Sequence, residues 1–406
     1  MSYTDGWTRS ILEERGKKIR EYCAENEIDA LAVMDNLNYT YVTGFFIDVA
    51  PWERPVVAVI PVDGEPFMIH CELSTNHIKY ALEQGRGWIK DVRLYTEHPR
   101  QVNRLYTVRE WSTLASEVFR EKGLIKGRIG VDVGPMALER RLKPHLPELK
   151  FVDEGRLLRE MRLIKGKEEL DLIRKAGDLS DWGQVRYKDA IEVGKPWQVL
   201  NAEVTLLMVQ EAAKRYPVYS YSRSSGIYAS GTGMSVFSAM PHGPGGYDGR
   251  KIQKGDVIVN GTGARLNGYG VENERTFIVG EPTEKQRKAF EVMTEAQIKG
   301  VEMCVEGNKV SDIDAVCQEV IEKAGYGDYI MHRTGHGIGL GGHEYWDDTA
   351  FNHRIMKAGM VTSVEPGIYI YGFGGFRHSD TVIIGKTKPE VTTKYTKQLK
   401  DLIVKG

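Results

Sequence analysis

The sequence predicts an α/β domain followed by a larger α+β domain in which helices pack on an antiparallel sheet. Two observations predict this. Up to about residue 155 short apolar runs alternate with stretches of helical periodicity, whereas beyond it long helical patterns flank Gly-rich polar turns and short strand-like runs. The length of 406 residues agrees, since roughly 150 residues per domain gives two or three domains. The division is expected at 1–155 and 156–406.

In chain order, Trp7 to Glu25 reads as an amphipathic helix with Ile11, Leu12, Ile19 and Tyr22 near helical spacing, and Ala30 to Met34 reads as a strand. Strands follow at Val56 to Ile60, Phe67 to His70 and Ile129 to Val133, with helices at Leu73 to Glu83 and Val108 to Phe119. Gly155 to Lys167, dense in Arg, Lys and Leu, reads as a helical crossover into the second domain. There, helices are expected at Lys167 to Ala190, Gln198 to Lys214, Glu284 to Val305 and Ser311 to Ala324. Strands are expected at Val257 to Gly261, Thr276 to Val279, Met360 to Ser363 and Asp380 to Ile384. Tyr219 to Gly249 is too rich in Gly, Ser and Tyr for regular helix.

Several function classes are excluded at this level. With 55 Lys+Arg against 56 Asp+Glu, the chain has no overall attraction for nucleic acid or an anionic membrane. The longest apolar stretch, Val56 to Val62, is interrupted by Pro61 and falls far short of the roughly 20 residues needed to span a bilayer. MSYTDGWTRS leads into a charged helix rather than a secretory apolar segment. Cys23, Cys71, Cys304 and Cys317 lie far apart with no CxxC spacing, so they are read as buried fillers without a role, and the protein as cytoplasmic.

Ionisable residues beside glycines cluster in four segments of the second half: MPHG with His242, GYGVENERT with Glu272 and Glu274, TGHGIGLGGHE with His336 and His343, and SVEPG with Glu365. Glycine permits close backbone approach to a ligand, and strand alternation puts Glu272 and Glu274 on one face. Two carboxylates facing one pocket suit a metal ion or an organic cation. Taken singly, each residue also has an ordinary explanation: solvated strand charges, a satisfied core or exposed loop histidine, or a turn glutamate before Pro-Gly.

Together and in this order, the segments KGDVIVNGTGARLNGYGVENERTF, HRTGHGIGLGGHE and GMVTSVEPGIYIYGFGGFRHSDTV resemble the pita-bread fold family of methionine aminopeptidase, aminopeptidase P, prolidase and creatinase. The resemblance runs from about Met161 to Ile384. It implies an N-terminal α/β domain and a pita-bread α+β domain, assembled as a homodimer with active sites near the subunit boundary. The metallopeptidase members hold two divalent ions with two Asp, one His and two Glu. At the matching positions this chain has Gly261, Glu272, His336, Glu365 and Ser379, so only part of that set is retained. Gly offers no ligand and Ser a poor one.

Several positions resemble creatinase, which hydrolyses its substrate without metal. On that resemblance His242 is the general base and then acid, while Glu274 and Glu365 clamp a nitrogen head group. Trp52 and Arg54, in WERP, reach the neighbouring subunit's site, and Arg suits a carboxylate. His336, His343 and Glu272 then line the substrate. The leading expectation is therefore a metal-independent hydrolase of a C–N bond in a small zwitterion, with no metal or cofactor. The alternative is a metal-dependent Xaa-Pro dipeptidase, aminopeptidase or lyase with one ion on Glu272, His336 and Glu365. A third is a non-catalytic binding module.

Overall fold

Ala30–Val33 (β1), Val57–Pro61 (β2) and Phe67–Cys71 (β3) are apolar at nearly every position and buried throughout, as central strands covered on both faces must be. The computed structural model describes residues 8–45, 54–85, 87–96, 111–220, 226–232, 250–345 and 349–406. They divide into two units, Met1–Met161 and Arg162–Gly406. The first unit completes its sheet with Asp91–Tyr95 (β4), Lys126–Val131 (β5) and Glu148–Asp153 (β6), in the order β4-β3-β2-β1-β5-β6. Pairing is antiparallel at β1/β2 and β2/β3 and parallel elsewhere.

Helices Arg9–Glu25 (α1), Asn36–Thr43 (α2), Thr75–Glu83 (α3), Trp111–Glu121 (α4), Pro135–Leu142 (α5) and Gly155–Met161 (α6) complete this unit. The expected crossover helix stops at Met161. Beyond it Arg162 and Lys165 turn inward onto the buried Glu344, and Lys165 N donates to Gly359 O, so that stretch leaves the helical path. The expected division at 155/156 falls at the start of α6. Helix α2, not anticipated from NLNYTYVT, is held by its ends: Asp35 accepts from Leu37 N and Asn38 N, and Gly44 closes it with φ 78°.

In the second unit Lys167–Ala190 (α7) and Trp197–Arg215 (α8) lead into Tyr228–Thr232 (β7), a strand inside the Gly/Ser/Tyr-rich stretch. Val257–Leu266 (β8), Tyr269–Val271 (β9) and Asn273–Val279 (β10) follow, then Glu284–Glu302 (α9) and Val310–Lys323 (α10). Val361–Val364 (β11), Gly367–Ile370 (β12), Gly374–Arg377 (β13), Ser379–Ile383 (β14), Glu390–Val391 (β15), Leu399–Leu402 (α11) and Ile403–Val404 (β16) close the chain. The main sheet runs β11-β14-β10-β8-β7, with β9 on β8, β15 on β14 and β16 on β10. β8 continues five residues past the expected end at Gly261, because all ten of its positions are buried and the polar TGARL has no solvent to seek. Among the described residues no helix is long and apolar enough to cross a membrane.

His70 on β3 is buried, with Nε2 on the Tyr39 hydroxyl, and burial lowers its pKa from 6.5 to about 4. The unfolded chain takes up this proton near pH 6.5 and the folded chain only near 4, so folding releases a proton in between. Stability at His70 is therefore complete above that window and is lost as pH falls through it. Urea unfolding at pH 7.5 and pH 5 should show a loss of about 2 kcal/mol from this group. His70→Gln should flatten the pH dependence, and an unchanged slope would refute the assignment.

Candidate metal centre

Ser230, Gly261, Glu274 and Ser379 stand directly opposite one another on β7, β8, β10 and β14. Opposite residues of antiparallel strands project from the same face, so these four form one cross-strand row. β9 and β10 keep a common register on β8, with Ala264 opposite Val271 and Gly261 opposite Glu274, and Glu272 falls between them. Glu272 is fixed by its backbone: its N–H donates to Thr381 Oγ1 at 2.8 Å, and that hydroxyl donates to Glu272 O at 2.9 Å.

His336 reaches the same place through a strap alongside β11. His336 N donates to Ser363 Oγ, Ser363 N to His336 O, and Glu365 N to Thr334 O at 2.6 Å. The approach is so close that a Cβ on Gly335 would fall 2.1 Å from Ser363 O, so no larger residue fits. Strap and strand thereby carry His336 and Glu365 to one point.

His336 Nδ1 lies 3.1 Å from Gly337 O, and because a carbonyl only accepts, Nδ1 carries the hydrogen. Nε2 then points at Glu272 Oε2, 3.0 Å away, and Glu365 Oε1, 3.4 Å away. His343 stacks on the ring at 3.7 Å between centroids, and donor atoms of Glu272, His336 and His343 all lie within 4.8 Å of one another. Burial opposes ionisation of Glu365, yet His336, Arg377 and His332 bring its carboxyl down to about 2. Burial and the neighbouring His336 lower the pKa of His343.

Burial opposes protonation of His336, but Glu272 and Glu365 raise its pKa well above 6.5, so the two carboxylates hold a proton on Nε2 that a divalent ion would displace. This donor set, one nitrogen and two oxygens, suits a divalent ion such as zinc or manganese and leaves coordination positions open. It fits one ion. A second does not fit: Gly261 has no donor, and Ser379 offers only a hydroxyl. Glu274, which lies between them, is taken by Arg377, whose Nη2 donates to Oε1 at 2.5 Å and whose Nε is 2.5 Å from Oε2.

The surroundings are equally specific. Arg377 Nη1 donates to the Tyr369 hydroxyl at 3.2 Å. That hydroxyl meets His332 Nε2 at 2.9 Å, and His332 Nδ1 donates to Arg333 O at 2.6 Å. Glu344, beside His343, is turned away onto Lys165 and Arg162. Beneath the row, Arg275 and Asp380 are wholly buried and paired at 2.8 Å, with Lys397 2.6 Å from the same carboxylate. Burial opposes ionisation there, but the two cations hold Asp380 well below the usual carboxylate range.

Residues 171–386 match the Metallopeptidase family M24, and residues 15–164 match the Creatinase/Prolidase N-terminal domain. The chain belongs to the M24 family. The Xaa-Pro dipeptidase of Pyrococcus furiosus is 30% identical over 96% of this chain and 100% of that protein, and the Xaa-Pro dipeptidase of Pyrococcus horikoshii is 29% identical over 96% and 99%. The crystal structure of the prolidase from Pyrococcus horikoshii superposes with a TM-score of 0.76 at 27% identity, covering 95% of this chain and 99% of that one. The expected two-domain M24 architecture therefore holds.

The expectation of a metal-independent, creatinase-like hydrolase of a small zwitterion is overturned by these relatives, which are Xaa-Pro dipeptidases of a metallopeptidase family. The geometry supplies the physical reason: the Glu274 carboxylate assigned to a substrate head group is already held by Arg377, and Glu365 faces an imidazole nitrogen. Of the expected site residues, Glu272, His336, His343 and Glu365 come together, and Glu274 stands beside them. Arg54 is half-buried in the first unit, while Trp52 and His242 lie outside the described residues. Arg377, Tyr369 and His332 were not anticipated. The available signal was the FRHS segment, where alternation places Arg377 on the face of Ser379.

Replacing Arg275 with Met strands the buried Asp380 beside a single cation. A loss of about 3–5 kcal/mol in urea unfolding is expected, and a loss below about 1 kcal/mol would show that Lys397 alone suffices.

Proposed function

We propose that this M24 protein is a metal-dependent dipeptidase acting on Xaa-Pro substrates, with one divalent ion held by Glu272, His336 and Glu365. The observation that carries the reading is the convergence of His336 Nε2, the ring nitrogen that the Nδ1 hydrogen bond to Gly337 O leaves facing the site, on the two carboxylate oxygens. The Xaa-Pro dipeptidases that match along nearly their whole length supply the substrate class.

When bound, a divalent ion polarises a carbonyl and lowers the pKa of a bound water. The chain's own residues set the geometry of such a site. Gly337 O fixes the His336 tautomer, and the 362–365 segment fixes the position of the ring. His343, stacked flat on His336, restricts the ring's rotation. Glu365 remains ionised at neutral pH under the influence of His336 and Arg377 despite its burial. On the resemblance of its WERP turn, Arg54 reaches the site of a neighbouring subunit, where its planar fork suits the free C-terminal carboxylate of a dipeptide.

Two measurements test this. Protein purified without chelator should carry about one divalent ion per chain, and chelation should abolish hydrolysis of an Xaa-Pro dipeptide, with recovery when the ion is restored. His336→Ala should lose the ion and at least about a hundredfold in kcat/KM. Metal-free protein that still cleaves the dipeptide at the full rate would sink the reading. Arg54→Ala should raise KM for Xaa-Pro with kcat nearly unchanged, since it removes binding common to ground and transition states.

A further inference from the structure

The family resemblance places carboxylate ligands for a second ion where this chain has Gly261 and Ser379, and between those two positions in the cross-strand row stands Glu274. We infer that the buried Glu274–Arg377 pair takes the place of a second metal ion, leaving the centre with one exchangeable cation and one permanent cation built into the chain. The inference rests on the single-ion reading above and adds what excludes the second ion.

Position is the first ground. A Cβ on Gly261 would lie 3.6 Å from both Cγ and Oε1 of Glu274 and 3.1 Å from Ser230 Oγ, so the Glu274 side chain fills the space in front of the missing ligand. On the other flank Ser379 is wholly buried, and its Oγ has no hydrogen-bond partner. Two ligand positions have become small, and the residue between them carries the carboxylate.

The second ground is how the guanidinium is held. Its fork engages both Glu274 oxygens, and Nη1 is braced through the Tyr369 hydroxyl, His332 Nε2 and the Arg333 carbonyl. Glu274 is 7% exposed and Arg377 5%, so neither side chain can turn out to solvent to make way for an ion. A guanidinium cannot be deprotonated in such a setting, and a carboxylate with one oxygen hydrogen-bonded to Nη2 and the other in ion-pair contact with Nε at 2.5 Å has little capacity left for a metal.

Charge is the third ground. Even with all three carboxylates ionised, Glu272, Glu274 and Glu365 against Arg377 leave only two negative charges, which one divalent ion neutralises. A second divalent ion would leave two positive charges in a buried site with no further carboxylate to meet them, a configuration strongly disfavoured by desolvation.

The test counts ions. Full-length protein stripped of metal is dialysed against excess Zn2+, and the zinc bound per chain is measured by atomic emission, with folding checked by circular dichroism. The wild type should hold one ion, and so should Gly261→Asp/Ser379→Glu, because the pair still occupies the space. Adding Glu274→Ser to that double variant should raise the count to two. Two ions in the wild type or the double variant would overturn the inference, as would one ion in a folded triple variant. If the triple variant does not fold, the wild-type and double-variant counts decide. A wild type with one ion and no Xaa-Pro hydrolysis removes the dipeptidase reading and leaves this one standing; two ions with hydrolysis does the reverse. No bound ion would remove both.

Discussion

Arg275 donates from Nη1 to Glu274 O and Ser379 O, from Nη2 to Asp380 Oδ1, and from Nε to the carbonyls of Tyr395 and Thr396. These bonds hold β10 to β14 at the level of the cross-strand row, and a slip of one residue there would turn every side chain of the row to the opposite face. Glu272 and Glu274 keep their common face only while that register holds, and Glu365 meets His336 only while β11 keeps its place on β14. The centre thus depends on a fully buried ion pair that touches no metal. Removing one partner of such a pair is far more damaging than never having had it, because the remaining charge is left without solvent.

Electrostatics divides the acidic residues of the site by partner rather than by sequence spacing. Glu344 faces Lys165 and Arg162, Glu274 faces Arg377, and Asp380 faces Arg275 and Lys397. Glu272 and Glu365 differ: the ring nitrogen of His336 is the group they share, and it is a cation only when it carries a second proton. Buried carboxylates need positive charge or hydrogen-bond donors. Glu272 and Glu365 raise the His336 pKa well above 6.5, and their shared cation is thus one that can give up its proton to a metal ion, which separates ligands from structural acids.

Much of the fold was legible because β1 to β3 are almost purely apolar and the long helices keep clear periodicity. The polar half of β8 was not, since Thr262 and Arg265 imitate the end of a strand until their burial under neighbouring elements is known. Strand β7 was hidden by the composition of its surroundings, and α2 by its β-branched and Asn residues. In the site, spacing alone put Glu272 and Glu274 together, and resemblance singled out His336 and Glu365. What neither gave was the partner of each acid. Arg377 is 103 residues from Glu274, and no local pattern announces a pair at that separation.

The same long-range pairing explains how a carboxylate at 274 is tolerated at all. A glutamate buried to 7% exposure beside two other carboxylates would be forced to neutralise, and burial with Glu365 and Glu272 does push the Glu274 carboxyl up, to about 7, against the pull of Arg377. With aspartate at 261 and glutamate at 379, Glu274 would sit flanked by acids on both sides of its row, and with Arg377 held on Glu274 the added carboxylates would have no cation of their own. Small residues at both positions remove that repulsion and leave the fork of Arg377 to Glu274 alone. Gly261, Glu274 and Ser379 are thus better understood as one change distributed over three strands than as two lost ligands and an unrelated acid.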